Sequence, residues 1–368
     1  MLALRELLVR RLQYALVSAV ITLIAYLVLM VTGLGLGLYE LAGTALLNLN
    51  SDAIVYSRGA DLSVLRSELG DEAIREASAQ PGVKASAPLG YAAAAIQDGA
   101  GHVTTAAVIG YVPGTIGEPA TVAGRSLLPY EDRAMLADRN FLRASGLKIG
   151  DTVQIPARLQ LLEFRIAGEI EQGNFFFQPA VYVLREAWRD IRYGVTDEFT
   201  PDANILLLQG AGLDGLEGAS WIAVSKETAF ANIDGVAAQQ STVDSLRYMG
   251  LVIGAMVVGI FFYVLTLQKI GQIGMLKAIG APSVYLIRQG LVQVLIVTTS
   301  ATAVAVALAT GTGYALNVSS AAVPVHFTTQ AMLSTGTSIV IAGLLGAALS
   351  IWQIGRTDPL IALQQQQT

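Results

Sequence analysis

No cysteine occurs in the 368 residues of the chain, which excludes disulfides, thiolate metal sites and cysteine nucleophiles outright. No G-x-x-x-x-G-K-[ST] segment occurs either, so the chain has no phosphate-cradling loop with which to bind ATP by itself. Histidine is limited to His102 and His326. They are far apart and have no ligand-type neighbours, so neither supports a metal site or an imidazole catalyst. Charge is scarce as well: 14% of residues are charged and 53% hydrophobic, with a mean hydropathy of +0.55. That is too apolar for a soluble domain and too mixed for a chain that lies wholly in a membrane.

What is present is a set of four long apolar windows, Tyr14 to Leu38, Tyr248 to Leu267, Val284 to Leu316 and Leu333 to Ile354. Each is long enough to cross about 30 Å of hydrocarbon as a helix, which takes roughly 20 residues. Apart from Arg288 near the head of the third, none contains Asp, Glu, Lys, Arg or His. The intramembrane ionisable groups of a proton- or ion-driven carrier are therefore not in evidence.

Charge gives the windows an expected orientation, because short cytoplasmic loops accumulate Lys and Arg. Arg5, Arg10 and Arg11 precede the first window, Lys269, Lys277 and Arg288 flank the second turn, and Arg356 follows the last. Only Glu6 and Asp358 oppose them. Between Glu40 and Asp244 stand 26 acids and 15 bases. The expectation is that both termini and the 269 to 283 loop are inside and the acidic segment outside. The first window is longer than the roughly 7 to 15 residues of a signal-peptide core and lacks a convincing cleavage site, so it reads as a retained anchor. Leu2, Leu7, Leu8 and Leu12 alternate with the three arginines in a short amphipathic lead-in.

The outer segment, at about 200 residues, is large enough to bury a core without disulfides. Strand-like runs at Val103–Ile109, Thr152–Ile155, Phe164–Ala167, Val181–Leu184 and Ile205–Leu208 alternate with turn residues. Helices are expected over Leu62–Ala79, Arg139–Ser145 and Glu186–Arg192, and residues 211–247 as a rise into the second span. The fold class that follows is an α-helical membrane protein with four transmembrane helices and a large α+β extracytoplasmic domain inserted between the first and second spans. In order, the layout is a lead-in (1–13), spans at 14–38, 248–267, 284–316 and 333–354, an outer domain with stalk helices (39–247), a cytoplasmic segment (268–283), an outer loop (317–332) and a cytoplasmic tail (355–368).

The most informative segment is Lys269 to Ala281, KIGQIGMLKAIGA, cationic and free of acids. Ile270, Ile273, Leu276 and Ile279 recur every third residue, which predicts an apolar stripe on a short helix lying on the membrane, with Lys269, Gln272 and Lys277 off the stripe.

Here the residues carry a family resemblance. Gly271-Gln272-Ile273-Gly274-Met275-Leu276-Lys277-Ala278-Ile279-Gly280-Ala281 resembles the E-I-G-x-L-[RK]-A-[LI]-G-A signature of FtsX-like permeases of the MacB type. Gly355 to Leu363, GRTDPLIAL, is similar to the tail of such permeases. Pro81-Gly82-Val83 with Ala87-Pro88, Gly124 to Leu127, and Gly146 to Val153 resemble parts of the family's periplasmic core domain. Gln272 departs from the pattern, which has Glu there, and substitutes a neutral hydrogen-bonding group for a charge.

The resemblance implies a dimeric permease, with an identical or different second protomer, that works with a separate ABC ATPase. ATP and Mg²⁺ would bind that ATPase and no cofactor this chain. Lys269, Gln272, Ile273, Met275, Leu276, Lys277 and Ile279 would form the ATPase-coupling segment. The chain would sit in the bacterial cytoplasmic membrane among lipids, with a membrane-fusion or other extracytoplasmic protein as a further partner and no nucleic acid. Two functional classes follow: a mechanotransmitting permease that exports or extracts a substrate, and a non-transport regulator of an outer partner such as a cell-wall hydrolase, or a ligand sensor. The family's cell-division members usually have a smaller outer domain, which favours the first. A membrane-anchored enzyme ranks last because no nucleophile, metal or paired-carboxylate set stands out. Ser225-Lys226 is adjacent only in sequence, and strand neighbours face opposite sides.

Two other features invite a role. Phe175-Phe176-Phe177 reads first as a buried strand edge, since consecutive aromatics are ordinarily core, and second as an exposed grip on an outer partner. Gly250, Gly254 and Gly259, with Gly346 and Ser350, form small-residue stripes suited to helix packing within one subunit or to a dimer contact.

Overall fold

The computed structural model describes residues 11–157, 160–194, 200–318 and 323–356. It divides into two units, one of Met1–Gly37 with Gln240–Thr368 and one of Leu38–Gln239.

The α+β unit is an eleven-stranded sheet in the order β11-β1-β10-β2-β3-β9-β5-β7-β4. Its strands are β1 Ala53–Ser57, β2 Val83–Asp98, β3 Val103–Tyr111, β4 Thr121–Gly124, β5 Ala134–Asp138, β6 Thr152–Ala157, β7 Gln160–Ile170, β8 Asn174–Phe175, β9 Gln178–Leu184, β10 Ile205–Gly210 and β11 Trp221–Ser225. β6 pairs with β2 and β7, and β8 with β9. Two pairings, β3 with β9 and β5 with β7, are parallel.

β2 links the two halves of the sheet. Its first part pairs with β10 and its later part with β3. Where it changes partner, buried Asn204 takes the Tyr91 N–H at 2.7 Å and donates to the Ser67 carbonyl at 2.8 Å, so backbone groups freed by the crossing stay satisfied.

This strand contains Ala92-Ala93-Ala94-Ala95, a run with high helix propensity. Tertiary packing overrides it. Gly90 and Gly110 face each other across β2 and β3, and a Cβ on either would lie 2.1 Å or 2.5 Å from Trp188. Ala92, Ala94 and Ala106 join the same core cluster as Trp188. A floor of residues this small is what lets a whole indole be buried over the sheet.

The first long helix, α1, is Arg11–Leu47, interrupted at Gly43 (φ −176°, ψ 36°). Four short helices belong to the α+β unit: α2 Asp71–Ser78, α3 Arg139–Ser145, α4 Arg185–Tyr193 and α5 Lys226–Ala231. The helix expected over Leu62–Ala79 is shorter, because Leu62 is left-handed (φ 57°) and Leu69 bridges to Ala203. Residues 211–235 hold β11 and α5 in place of a continuous rise.

The other unit is helical: the first part of α1, then α6 Val236–Leu267, α7 Ile270–Ala278, α8 Ser283–Val318 and α9 Thr329–Arg356. Four helices among the described residues are long and apolar enough to cross a membrane. α6 and α9 approach at backbone distance, since a Cβ on Gly259 would lie 2.8 Å from the Gly346 carbonyl oxygen and one on Gly346 1.9 Å from that of Ala255. Many hydroxyls in this unit turn back on their own helices, as Thr298 does to the Val294 carbonyl (2.8 Å) and Thr337 to that of Leu333 (2.7 Å), while Thr22 reaches the Ala301 carbonyl of another helix (3.3 Å).

Candidate functional site

The chain between α6 and α8 folds as the sequence dictates. Lys269 breaks the helical run (φ −106°, ψ 2°), and α7 begins at Ile270. At its far end the Ala281 N–H donates to the Leu276 carbonyl (2.9 Å) and the Gly280 N–H to that of Lys277 (3.0 Å). These are the paired bonds of a Schellman stop, with Gly280 at φ 98° supplying the left-handed residue. Pro282 then precedes α8, where a missing N–H costs no helical bond.

The spacing of three does not keep the isoleucines on one face. Each step of three turns 300° around an α-helix, so the series drifts by 60° per step and Ile279 ends up opposite Ile270. Ile273 accordingly packs against the core cluster of the helical unit, which includes Tyr14, Val294 and Phe262. Met275 is 53%, Leu276 39% and Ile279 80% exposed. Gln272 is exposed and Lys277 half-buried.

Lys269 turns inward. Its Nζ donates to the Tyr14 hydroxyl at 3.1 Å and lies 5.8 Å over that ring. The same hydroxyl receives Gln293 Nε2 at 2.6 Å. Tyr14 is 4% and Gln293 6% exposed. One buried oxygen thus ties together α1, the start of α7, and α8. The readable signal for it was two polar side chains inside apolar windows, Tyr14 and Gln293, where every polar group needs a partner.

The glycine stripes are occupied by contacts within the chain. A Cβ on Gly250 would meet Val28 at 2.7 Å, and one on Gly254 would meet Ile24 at 3.2 Å. Gly259 and Gly346 face each other as described. The Ser350 side chain, the lead-in at residues 1–10 and the tail motif from Thr357 onward lie outside the described residues.

The three phenylalanines divide. Phe175 is buried (3%) in β8 and Phe177 is 38% exposed, while Phe176 is half-buried with its ring 5.1 Å from that of Tyr91. Their position is set by Asp138, which sequence reasoning missed. Its carboxylate is 1% exposed and accepts three backbone N–H bonds, each 2.8 Å, from Asn140, Gln172 and Gly173. Burial pushes its pKa up, and those three donors pull against that shift. The clue was an Asp directly before a helix, an N-cap residue. Among the described residues no group of three His, Cys, Asp or Glu side chains is placed to hold a metal.

Residues 245–359 match the FtsX-like permease C-terminal domain. The chain is similar to the "Putative hemin transport system permease protein HrtB" of Staphylococcus haemolyticus, 26% identical over 60% of this chain and 61% of that protein. It is also 30% identical to the HrtB of Staphylococcus epidermidis over 36% and 37% of the two chains. The matches therefore span less than two thirds of these relatives' length. Among solved structures, the extracellular domain of the transporter YknZ from Gram-positive bacteria covers 44% of this chain and 84% of its own (14% identity, TM-score 0.32). The periplasmic region of MacB from Actinobacillus actinomycetemcomitans covers 49% and 91% (12% identity, TM-score 0.34).

Residues 245–359 thus carry an FtsX-like permease C-terminal domain, in a chain that is similar to HrtB permeases and has, among the described residues, four helices long and apolar enough to cross a membrane.

Proposed function

We propose that this chain is the mechanical subunit of an ABC transporter of the bacterial cytoplasmic membrane. A separate ATPase, holding ATP and Mg²⁺, docks on α7, and its movement passes through the spans to the α+β unit, which acts on a substrate outside. In this reading both termini are cytoplasmic, the α+β unit is inserted between the first and second spans outside the membrane, and two permease protomers work together. The absence of a phosphate loop in the sequence agrees with a borrowed motor. The relatives named for hemin make a planar, apolar metal chelate the first cargo to test.

The observation that carries the reading is the presentation of α7. A nine-residue helix, capped at its end and tied at its start to Tyr14, holds Met275, Leu276 and Ile279 outward between two candidate spans. An apolar ridge fixed at both ends is suited to a groove in a partner, because little ordering is left to do on binding. Ile273 is a poor test position, since its loss would open the helical core. The paired change Met275→Ala with Leu276→Ala should cost about 2 kcal/mol or more of docking energy, over tenfold in affinity. Copurification of the ATPase should fall accordingly, with membrane insertion unchanged. Stoichiometric copurification and normal stimulated ATP hydrolysis in that variant would falsify the assignment.

A further inference from the structure

Among the described residues, four non-glycine residues have left-handed backbones, and they come as two adjacent pairs, Asp61-Leu62 (φ 48° and 57°) and Phe176-Phe177 (φ 49° and 62°). Such a conformation is uncommon outside Gly, Asn and Asp, and for a bulky side chain it persists only where surroundings enforce it. Each pair sits where the α+β unit holds a segment of chain next to a long helix. Beside Leu62, the Ser63 hydroxyl bonds Asp234, and Arg66 lies 3.7 Å from the same carboxylate, immediately before α6. The phenylalanine pair grips α1.

The grip is explicit. β8 and β9 pair as Phe175 with Gln178, leaving Phe176 and Phe177 as a two-residue hairpin turn with both φ positive. Asn-Gly is the usual occupant of that geometry. The outward amides donate to α1: Phe176 N–H to the Ala42 carbonyl at 2.9 Å, and Phe177 N–H to that of Leu41 at 3.0 Å. Both acceptors adjoin the break at Gly43. The loop before the turn is pinned to the same helix, with the Asn174 N–H on Thr44 Oγ1 (3.2 Å) and Asn48 Nδ2 on the Gln172 carbonyl (2.8 Å). A small void lined by Ala45, Leu49, Tyr91, Phe175 and Tyr182 lies next to the first of the three phenylalanines.

We propose that the Phe176–Phe177 turn is a strained clasp that holds α1 broken at Gly43 and opens when the helix straightens. The two states compete for the same atoms. In an uninterrupted helix the Leu41 and Ala42 carbonyls accept from Ala45 and Leu46, four residues on; in the broken one they accept from the phenylalanine amides. Straightening the helix withdraws the bonds that enforce two left-handed phenylalanines, and the turn relaxes. This is a two-state element of the kind that converts a helix movement into a loop movement. Its use in an ATP-driven cycle rests on the permease reading; the clasp itself does not.

Amide hydrogen exchange on the full chain in lipid nanodiscs tests both parts. Phe177→Ala removes the ring and keeps the backbone cost, whereas Phe177→Gly removes both. If the clasp is strained, amides at 176 and 177 exchange about fivefold more slowly in F177G than in F177A, and across the variants slower exchange there accompanies faster exchange at Ala45 and Leu46. Equal exchange in the two variants, or no reciprocal change at Ala45 and Leu46, overturns the clasp. With the copurified ATPase and ATP added, exchange at 176 and 177 should rise in the unmodified chain and rise less in F177G. A Gly-to-Ala difference that persists with no response to ATP in any variant overturns the coupling to an ATPase and leaves the clasp standing.

Discussion

The two units bury their interiors by opposite means. In the α+β unit the largest fully buried side chains are aromatic, Trp188, Trp221, Tyr56, Tyr111, Tyr182, Phe141, Phe164 and Phe230 among them. In the helical unit close approaches fall at glycines such as Gly250, Gly259 and Gly346, the small Ala301, Ala305 and Ala347 are buried, and large apolar residues such as Met249, Val252, Met256, Ile260 and Leu345 face outward. Water explains the first pattern, since every aromatic withdrawn from it is a gain. Lipid explains the second, because hydrocarbon tails offer an apolar side chain as much as another helix does, so association rests on close backbone approach. Polar groups follow suit. The α+β unit satisfies Asp138 and Asn204 through long-range networks, while in the helical unit many hydroxyls, Thr298 and Thr337 among them, return to a carbonyl of their own helix and only a few, such as Tyr14 and Thr22, reach across.

That contrast can be broken by experiment. Trp188→Ala should be the most damaging change in the α+β unit, about 3 to 5 kcal/mol, because the glycine and alanine floor beneath it cannot collapse to fill the space. Thermal unfolding in detergent should show this loss without dissociation of the helices. Gly346→Val is its counterpart in the helical unit. A side chain there meets the Ala255 carbonyl at 1.9 Å, and forcing the helices apart should cost about 1 to 3 kcal/mol or more and lower the yield of monodisperse protein. If Gly346→Val proves silent, the close approach of α6 and α9 is not what holds the unit together.

Asp138→Asn should cost about 2 kcal/mol, since the introduced amide NH₂ would face N–H donors and leave at least one of them unpaired. Urea melts would register it. Tyr14→Phe should cost about 1 to 2 kcal/mol through the lost acceptor for Lys269 and Gln293. Tighter exchange protection of α7 in that variant would argue against the tie.

Acid should separate the units by sign. The Arg125 guanidinium, bonded to both oxygens of Glu131, and the Leu128 N–H hold that carboxyl below the usual glutamate range. The stabilisation is present above the unfolded-state value and is lost as pH falls through the depressed one. Over residues 11–37 and 240–356 the only carboxylate is Asp244, so acid below the usual glutamate range should loosen the α+β unit first, as followed by an acid-active protease in limited proteolysis. The smallest effect expected is that of Thr298→Val, within about 0.5 kcal/mol although Thr298 is fully buried, because its hydroxyl shares a carbonyl in its own helix. Orientation is open to the same kind of test. Ser220→Cys should react with an impermeant thiol reagent in intact cells and Gln272→Cys should not; Ser51, only 6% exposed, is unsuitable for labelling.

Helices of the membrane type were legible because their signal is local: twenty apolar residues need no partner to be recognised. The stop of α7 was equally local, written as Ile279-Gly280-Ala281-Pro282. β3, β6, β10, α3 and α4 were legible for the same reason, each being an alternating or capped run between turn residues. β2 was not, since Ala92 to Ala95 are strand residues only under Trp188. The inward turn of Ile273 and Lys269 was not either, because a spacing of three suits either face until the neighbouring helices are known.

The sequence by itself determined which stretches are apolar enough for a membrane, where the short cationic helix starts and stops, and that no phosphate loop is present, because composition, length and backbone stereochemistry act over a few residues. Only the tertiary structure decided that Tyr14 would gather Lys269 and Gln293, that Asp138 would set the phenylalanine turn, and that this turn would seize α1 at Gly43. Those contacts join residues between 34 and 279 positions apart. No local propensity reaches that far; the packing that brings such groups together also removes the water that would otherwise serve them.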